Sequence, residues 1–196
     1  MNPAGILFGP TAQLNVDGSF HATTADYIKL GTDGIFRADP AQASVLTVSP
    51  PSAFGFLNAN PAPIDVQTGA VDFDTFEILN LLQVPEGETL SLVGGNLNIG
   101  AADFSSSGFL FAPGGTVNLV SVASPGEATI NSAINTDGFT ELGDINISGG
   151  SLIDGRDVYI RSGQLAIDDA IVWPGVFSLF GLGPGLERKH TARAFF

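Results

Sequence analysis

Apolar and polar residues alternate along this chain in very short bursts. From Thr89 onward, Leu90-Ser91-Leu92, Leu97-Asn98-Ile99, Phe109-Leu110-Phe111, Val117-Asn118-Leu119, Ile145-Asn146-Ile147, Val158-Tyr159-Ile160 and Leu165-Ala166-Ile167 follow one another, separated by Gly, Ser, Asn or Asp. A period of two is that of a strand, and the residues between are turn formers. Strands of three residues do not hold as isolated hairpins, so each must lie against an equivalent strand elsewhere. Leu92-Val93-Gly94-Gly95-Asn96-Leu97, Ile147-Ser148-Gly149-Gly150-Ser151-Leu152 and Ile160-Arg161-Ser162-Gly163-Gln164-Leu165 share one plan: apolar, then small or polar residues including Gly, then apolar. Such a unit bends the chain between two strands whose apolar residues point inward, and repetition builds a coil. With roughly 20 residues per coil, the chain would make about seven to nine. Stacked coils and a β-sandwich or jelly roll are the two architectures this pattern allows.

Before Thr89 the punctuation is looser. Ile6-Leu7-Phe8 closes at Gly9-Pro10, and Leu14-Asn15-Val16 precedes an Asp17-Gly18 turn. Gly34-Ile35-Phe36, Val45-Leu46-Thr47-Val48, Phe54-Gly55-Phe56-Leu57 and Ile64-Asp65-Val66 read as further strands, with a loop at 58–63. Phe73, Phe76, Leu79 and Leu82 fall at helical spacing inside segments that also suit strands, so we expect a loop or short helical turn there. Past Ile171 the alternation gives way to Pro- and Gly-interrupted sequence, expected to form a cap or irregular tail over 173–196.

The densest stretch is the first. In Asn2-Pro3-Ala4-Gly5 the proline ring fixes its own φ and drives Asn2 out of the helical region, and Gly5 permits whatever backbone the turn needs. The order Asn-Pro-x-Gly-Ile-x-Phe-Gly-Pro, followed by Leu14-x-Val16-x-Gly18-Ser19-Phe20-x-Ala22-Thr23-Thr24, resembles the secretion domain of filamentous haemagglutinin-like exoproteins of two-partner secretion systems. The likeness runs over about the first fifty residues, through Ile28, Gly34-Ile35-Phe36 and Leu46-Thr47-Val48. Ala4 stands where the family pattern usually has Asn; Pro3 and Gly5 keep the backbone constraint.

The resemblance implies a right-handed parallel β-helix, a single-stranded solenoid with short extra-helical loops. It implies that residues 1–57 are the C-terminal part of the secretion domain, with continuing coils over 58–172. Asn2, Pro3, Gly5, Ile6 and Phe8 would form the motif that an outer-membrane transporter recognises. It further implies an adhesin, secreted or displayed on the surface of a Gram-negative type envelope, whose receptor the sequence does not name. In the family this motif lies behind a signal peptide and a first group of strands, so Met1 directly before Asn2 leads us to expect an N-terminally truncated copy.

Composition narrows the partners. A hydrophobic content of 44% against 14% charged residues gives enough apolar surface to offset the entropy of ordering. The net charge is -13, and no Lys or Arg occurs between Arg37 and Arg156. Binding to nucleic acid needs basic side chains against phosphates, so neither nucleic acid nor anionic lipid is an expected partner. The chain has no cysteine, which excludes disulfides and thiolate chemistry, and its apolar tail is broken by Pro174 before reaching membrane-spanning length.

Candidate catalytic groups are few. Asp137, in Asn135-Thr136-Asp137, and the pair Asp168-Asp169 match the carboxylates of some β-helical polysaccharide hydrolases, whose inverting chemistry needs an acid and a base flanking the sugar. Those enzymes also carry a Gly-His-Gly and a basic clamp, which this chain lacks, so turn acids on a solvated coil are the expected reading. Asp154-Gly155-Arg156-Asp157 offers oxygens to calcium without the repeated units such sites use, and is expected to be a turn with an exposed ion pair. His21 has no constellation of Ser, Asp and Glu at defined spacing around it and is expected to be a packed or surface histidine. We expect no enzyme, metal or cofactor.

Overall fold

Strand follows strand in the computed structural model, which describes residues 1–71, 78–101, 107–130 and 133–174. The chain enters with β1 (Ile6–Phe8) and β2 (Phe20–Thr23), then runs through β3 (Tyr27–Leu30), β4 (Gly34–Arg37) and β5 (Pro51–Phe56). After β6 (Ile64–Val66) a small antiparallel pair, β7 (Ala70–Val71) and β8 (Ile78–Leu79), leads to β9 (Leu82–Gln83), β10 (Thr89–Gly94), β11 (Leu97–Ile99) and β12 (Phe109–Ser121). β13 (Gly126–Ile130), β14 (Ile134–Asn135), β15 (Asp144–Ile147), β16 (Leu152–Arg161), β17 (Gln164–Ile167) and β18 (Ile171–Pro174) complete the order. No helix occurs among the described residues. Of the segment from Phe73 to Leu82, where a loop or helical turn was expected, residues 72–77 lie outside the described residues and the flanks are strands.

Two of the sheets are parallel throughout. One is ordered β1-β6-β11-β15-β17, the other β18-β16-β12-β10-β2, with β9 also on β12. The chain alternates between them, except that β9 and β10, consecutive in sequence, both join the second. Their registers align Ile6, Ile64, Leu97, Ile145 and Leu165 in one row, and Phe8, Val66, Ile99 and Ile147 in the next. Facing them, Phe20, Leu90, Val117 and Val158 align, as do Ala22, Leu92, Leu119 and Ile160. These rows make the main core, in which Ile64, Leu97, Ile99, Leu92 and Leu119 have no exposed surface. Each such side chain is worth roughly 1.5–3 kcal/mol relative to exposure. On the outward side of the first sheet Asn98 Nδ2 donates to Asp65 Oδ1 (2.7 Å) and Asn146 Nδ2 to Asn98 Oδ1 (3.2 Å), so polar residues of successive strands also stack on one another.

The aligned positions are unevenly spaced, from 20 residues between Ile145 and Leu165 to 58 between Ile6 and Ile64. That is why the first sheet has five strands among the described residues instead of the seven to nine coils expected from a repeat of roughly 20 residues. The extra length goes mainly into a third, antiparallel sheet, ordered β14-β13-β5-β3-β4. Only short loops were expected outside the parallel strands; five antiparallel strands are found instead. They cover the outward side of β10 and β12, and Phe54, Phe56, Ala128 and Ile134 pack with Val93, Val120 and Val122 in a second core. Val93 and Val120, outward-pointing by strand period, are therefore completely buried.

Tyr27 lies across Gly55 of the neighbouring strand, where any side chain would overlap its ring. From there its hydroxyl reaches Glu127 Oε1 at 2.5 Å, while Lys29 Nζ donates to Glu127 Oε2 at 2.7 Å, so β3 and β13 are tied across β5. Val45-Leu46-Thr47-Val48, expected as a strand, makes one bridge to Ile35, and Val48 is fully exposed.

The corner signature found in the sequence is real: Gly94-Gly95-Asn96 links β10 to β11, residues 148–151 link β15 to β16, and Ser162-Gly163 links β16 to β17. Leu92, Leu97, Ile147, Ile160 and Leu165 all join the main core; at the second corner Ile153 enters it in place of Leu152. β12, read from sequence as two strands, is continuous with a register shift between Ala112 and Thr116, where Pro113-Gly114-Gly115 bends it.

Candidate functional site

The first five residues form a closed turn. Asn2 accepts from two backbone amides, its carbonyl from Gly5 N–H (3.2 Å) and its Oδ1 from Ala4 N–H (3.1 Å). Asn at the first position, Pro at the second and Gly at the fourth are the residues a type I turn favours. Gly5 has φ +110°, a conformation side chains avoid, and a β-carbon there would lie 3.4 Å from the Pro63 carbonyl. Two longer-range bonds fix the turn to the body: Asn2 N–H donates to Thr23 O at the end of β2 (2.9 Å), and Ile6 N–H donates to Pro63 O just before β6 (3.1 Å). None of these contacts uses the side chain of residue 4, so the turn closes with alanine there.

The five residues singled out in the sequence divide by role. Asn2 and Pro3 are exposed, as is Ala4, and Gly5 shapes the turn. Ile6 and Phe8 point the other way, packing on the main core, with Phe8 edge-on to Phe20 at 6.3 Å. Between them Leu7 is 64% exposed on the outward side of β1. Sequence reasoning passed over it because Ile6-Leu7-Phe8 is uniformly apolar; strand alternation was the available signal. The surface this site presents is thus Asn2, Pro3, Ala4 and Leu7, on a strand that among the described residues pairs only with β6.

The acids considered for hydrolysis are not brought together. Asp137 follows β14, in the excursion between β12 and β15, where it is bound to Asn135 through Asn135 Nδ2–Asp137 Oδ2 (2.8 Å) and Asp137 N–Asn135 Oδ1 (2.8 Å). Asp168 and Asp169 lie at a different corner, between β17 and β18, held by Asp168 N to Ile147 O (2.9 Å) and Gly150 N to Asp169 O (2.7 Å). Among the described residues no group of three or more His, Asp or Glu side chains could hold a metal ion. The Arg156–Asp157 pair is present at 2.9 Å with both side chains exposed, but Asp154-Gly155-Arg156-Asp157, expected as a turn, lies inside strand β16, held extended by its pairing with β12.

Asp154, by contrast, is nearly buried on β16, in register between Phe111 of β12 and Trp173 of β18. Burial pushes its pKa up to about 6. A carboxyl that titrates higher in the folded chain than unfolded stabilises the fold below the unfolded value of 3.8, and loses that contribution as pH rises through about 6. Asp154→Asn should therefore raise the melting temperature by a few degrees at pH 7.5 and leave it unchanged at pH 3.5. Thermal melts of both proteins across this range check it; an equal gain at both pH values would place the effect elsewhere.

No helix among the described residues is long and apolar enough to cross a membrane, which says nothing of β-barrels. A family model described as the TPS secretion domain matches residues 1–175. No curated protein matches the chain, and no solved structure does.

Proposed function

Because the chain belongs to the family of two-partner (TPS) secretion domains, we propose that it is the part of an exoprotein that directs export, wound as a right-handed parallel β-helix and recognised by the outer-membrane transporter of its system. The observation that carries the recognition is the Asn2–Gly5 turn. Its defining hydrogen bonds are those that Asn2 accepts from the Ala4 and Gly5 amides, so the turn can form in a chain that has not yet folded. A chain without disulfides can cross a membrane unfolded, and a locally encoded turn is a mark that a transporter can read at that stage. Pro3, Ala4 and Leu7 supply the exposed surface, and Ile6 and Phe8 seat the strand once the core closes.

The alternation of the chain between two parallel sheets supports helical winding, and right-handed crossovers are the rule for parallel strands. Once outside, each coil stacks on the one before it and folding propagates along the axis. In this reading residues 1–57 carry the recognition element and 58–172 continue the coils; of 173–196, expected as a cap or tail, residues 175–196 lie outside the described residues. The exported product serves adhesion and not catalysis, which agrees with the separation of Asp137 from Asp168 and Asp169 and with a surface too acidic to favour nucleic acid or anionic lipid.

The test is export of the exoprotein in cells supplied with its transporter. Replacing Asn2 and Pro3 together by alanine should lower the exported protein at least about tenfold, since a missed recognition step costs 1.4 kcal/mol for each factor of ten. The melting temperature of the purified variant should change by only a few degrees, because the turn is exposed. Export at the wild-type level would refute the recognition role.

A further inference from the structure

His21 occupies the seam between the parallel and antiparallel sheets. It lies on β2, the outermost strand of its parallel sheet, two residues before the chain leaves that sheet for β3. Its register partner is Ser91, on the side of β10 that the antiparallel sheet covers, and its ring lies 6.0 Å from that of Phe54 on β5. Phe54 belongs to the second core and is 1% exposed. His21 Nδ1 is shielded from solvent and has no hydrogen-bond partner, and in the same row Asn118 Oδ1 is shielded and unpartnered.

We propose that His21 is an acid-sensitive clasp: as a neutral ring it holds the antiparallel sheet against the parallel strands, and on protonation it releases that sheet. The groups that face the ring are uncharged, namely Ser91 from β10, Asn118 of β12 beyond it, and Phe54 from β5. The charges nearby are engaged elsewhere: Glu88 with Ser19 Oγ (2.6 Å), Asp26 with the Leu57 amide (2.7 Å), and Lys29 with Glu127. A proton added at Nδ1 therefore meets no carboxylate, and although the ring as a whole is only half-buried, an N–H at that shielded atom has no acceptor, which is costly. Burial accordingly lowers the ring's pKa from 6.5. A histidine depressed in this way stabilises the closed form above pH 6.5 and loses that contribution as pH falls below it. Glu127 acts in a separate window: hydrogen bonds from Lys29 and Tyr27 hold it below the usual 4.5, so its ties within the antiparallel sheet persist to lower pH.

Limited proteolysis and amide hydrogen exchange at pH 7.5 and 5.0 read the clasp directly. In the wild-type chain, cleavage within 26–57 and exchange of the β3–β5 amides should accelerate on the order of tenfold at pH 5.0, after correction for the intrinsic pH dependence of each reaction, while β11 and β15 stay protected. His21→Asn and His21→Phe, which cannot take the charge, should show no such acceleration. A wild-type chain whose 26–57 protection is the same at both pH values overturns the proposal, and that arm needs no variant to fold. Equal acceleration in either folded variant overturns it too, by assigning the acid response to another group.

Discussion

Replacing Gly95 by valine is expected to cost roughly 4 kcal/mol or more, placing it in the severe tail of single substitutions. At 2–4 °C per kcal/mol for a chain of this size, the melting temperature should fall by about 10 °C. The reason is the corner between β10 and β11, where a β-carbon on Gly95 would overlap the Pro61 carbonyl oxygen and come within 2.8 Å of that of Ala62. Both obstacles are backbone, so no side chain can swing aside. They are also part of the same corner: Gly95 N–H donates to Ala62 O (3.1 Å), Thr24 Oγ1–H donates to that carbonyl as well (2.9 Å), and Ser121 Oγ–H donates to Gly95 O (2.9 Å). Moving the corner outward would break these bonds together and pull Leu92 and Leu97, which flank it, out of their rows. Urea denaturation followed by circular dichroism measures the effect; a loss below 1 kcal/mol would mean that the corner yields without strain.

Phe54→Ala is expected to act differently, costing about 3–5 kcal/mol while leaving the parallel sheets in place. Phe54 joins β5 to the outward side of the parallel strands, with Val93, Val120, Ala128 and Phe56 around it. None of these belongs to the main core, which is closed by Ile64, Leu97, Leu92, Leu119 and their aligned partners. Removing the ring opens the seam between the two cores, so the antiparallel sheet should loosen ahead of the coils. Hydrogen exchange would then show β3 and β5 amides losing protection while β11 and β15 keep theirs. Uniform loss across both groups would show that the two cores unfold as one unit.

Much of this was legible because short strands leave little room for ambiguity. Leu97-Asn98-Ile99 is a strand in the sequence and a strand with the same bounds in the fold, and the glycines at 94–95 and 163 turn corners as their spacing suggested. The antiparallel sheet was not legible as a unit. Its strand β13, Gly-Glu-Ala-Thr-Ile, has one fully buried apolar residue, and its pairing with β5 crosses about seventy residues of chain. A trace of it was present: Leu92-Val93 and Leu119-Val120 are apolar on both sides of the strand, as happens when both faces are covered. At the head, turn chemistry gave Asn2, Pro3 and Gly5 their roles, whereas the outward Leu7 was hidden within an apolar run whose neighbours both face the core.

The position of β1 and β18 on the outer edges of their parallel sheets gives the molecule a mechanical character. Hydrogen bonds between neighbouring strands lie along the direction in which the sheets extend, so tension applied in that direction loads them one row at a time. At those edges the bonded row is short, three residues for β1 on β6 and four for β17 on β15, whereas the interior coils are also tied by the pairing of β5 with β13. Under load the edge strands are therefore expected to peel before the interior coils, which the antiparallel sheet braces.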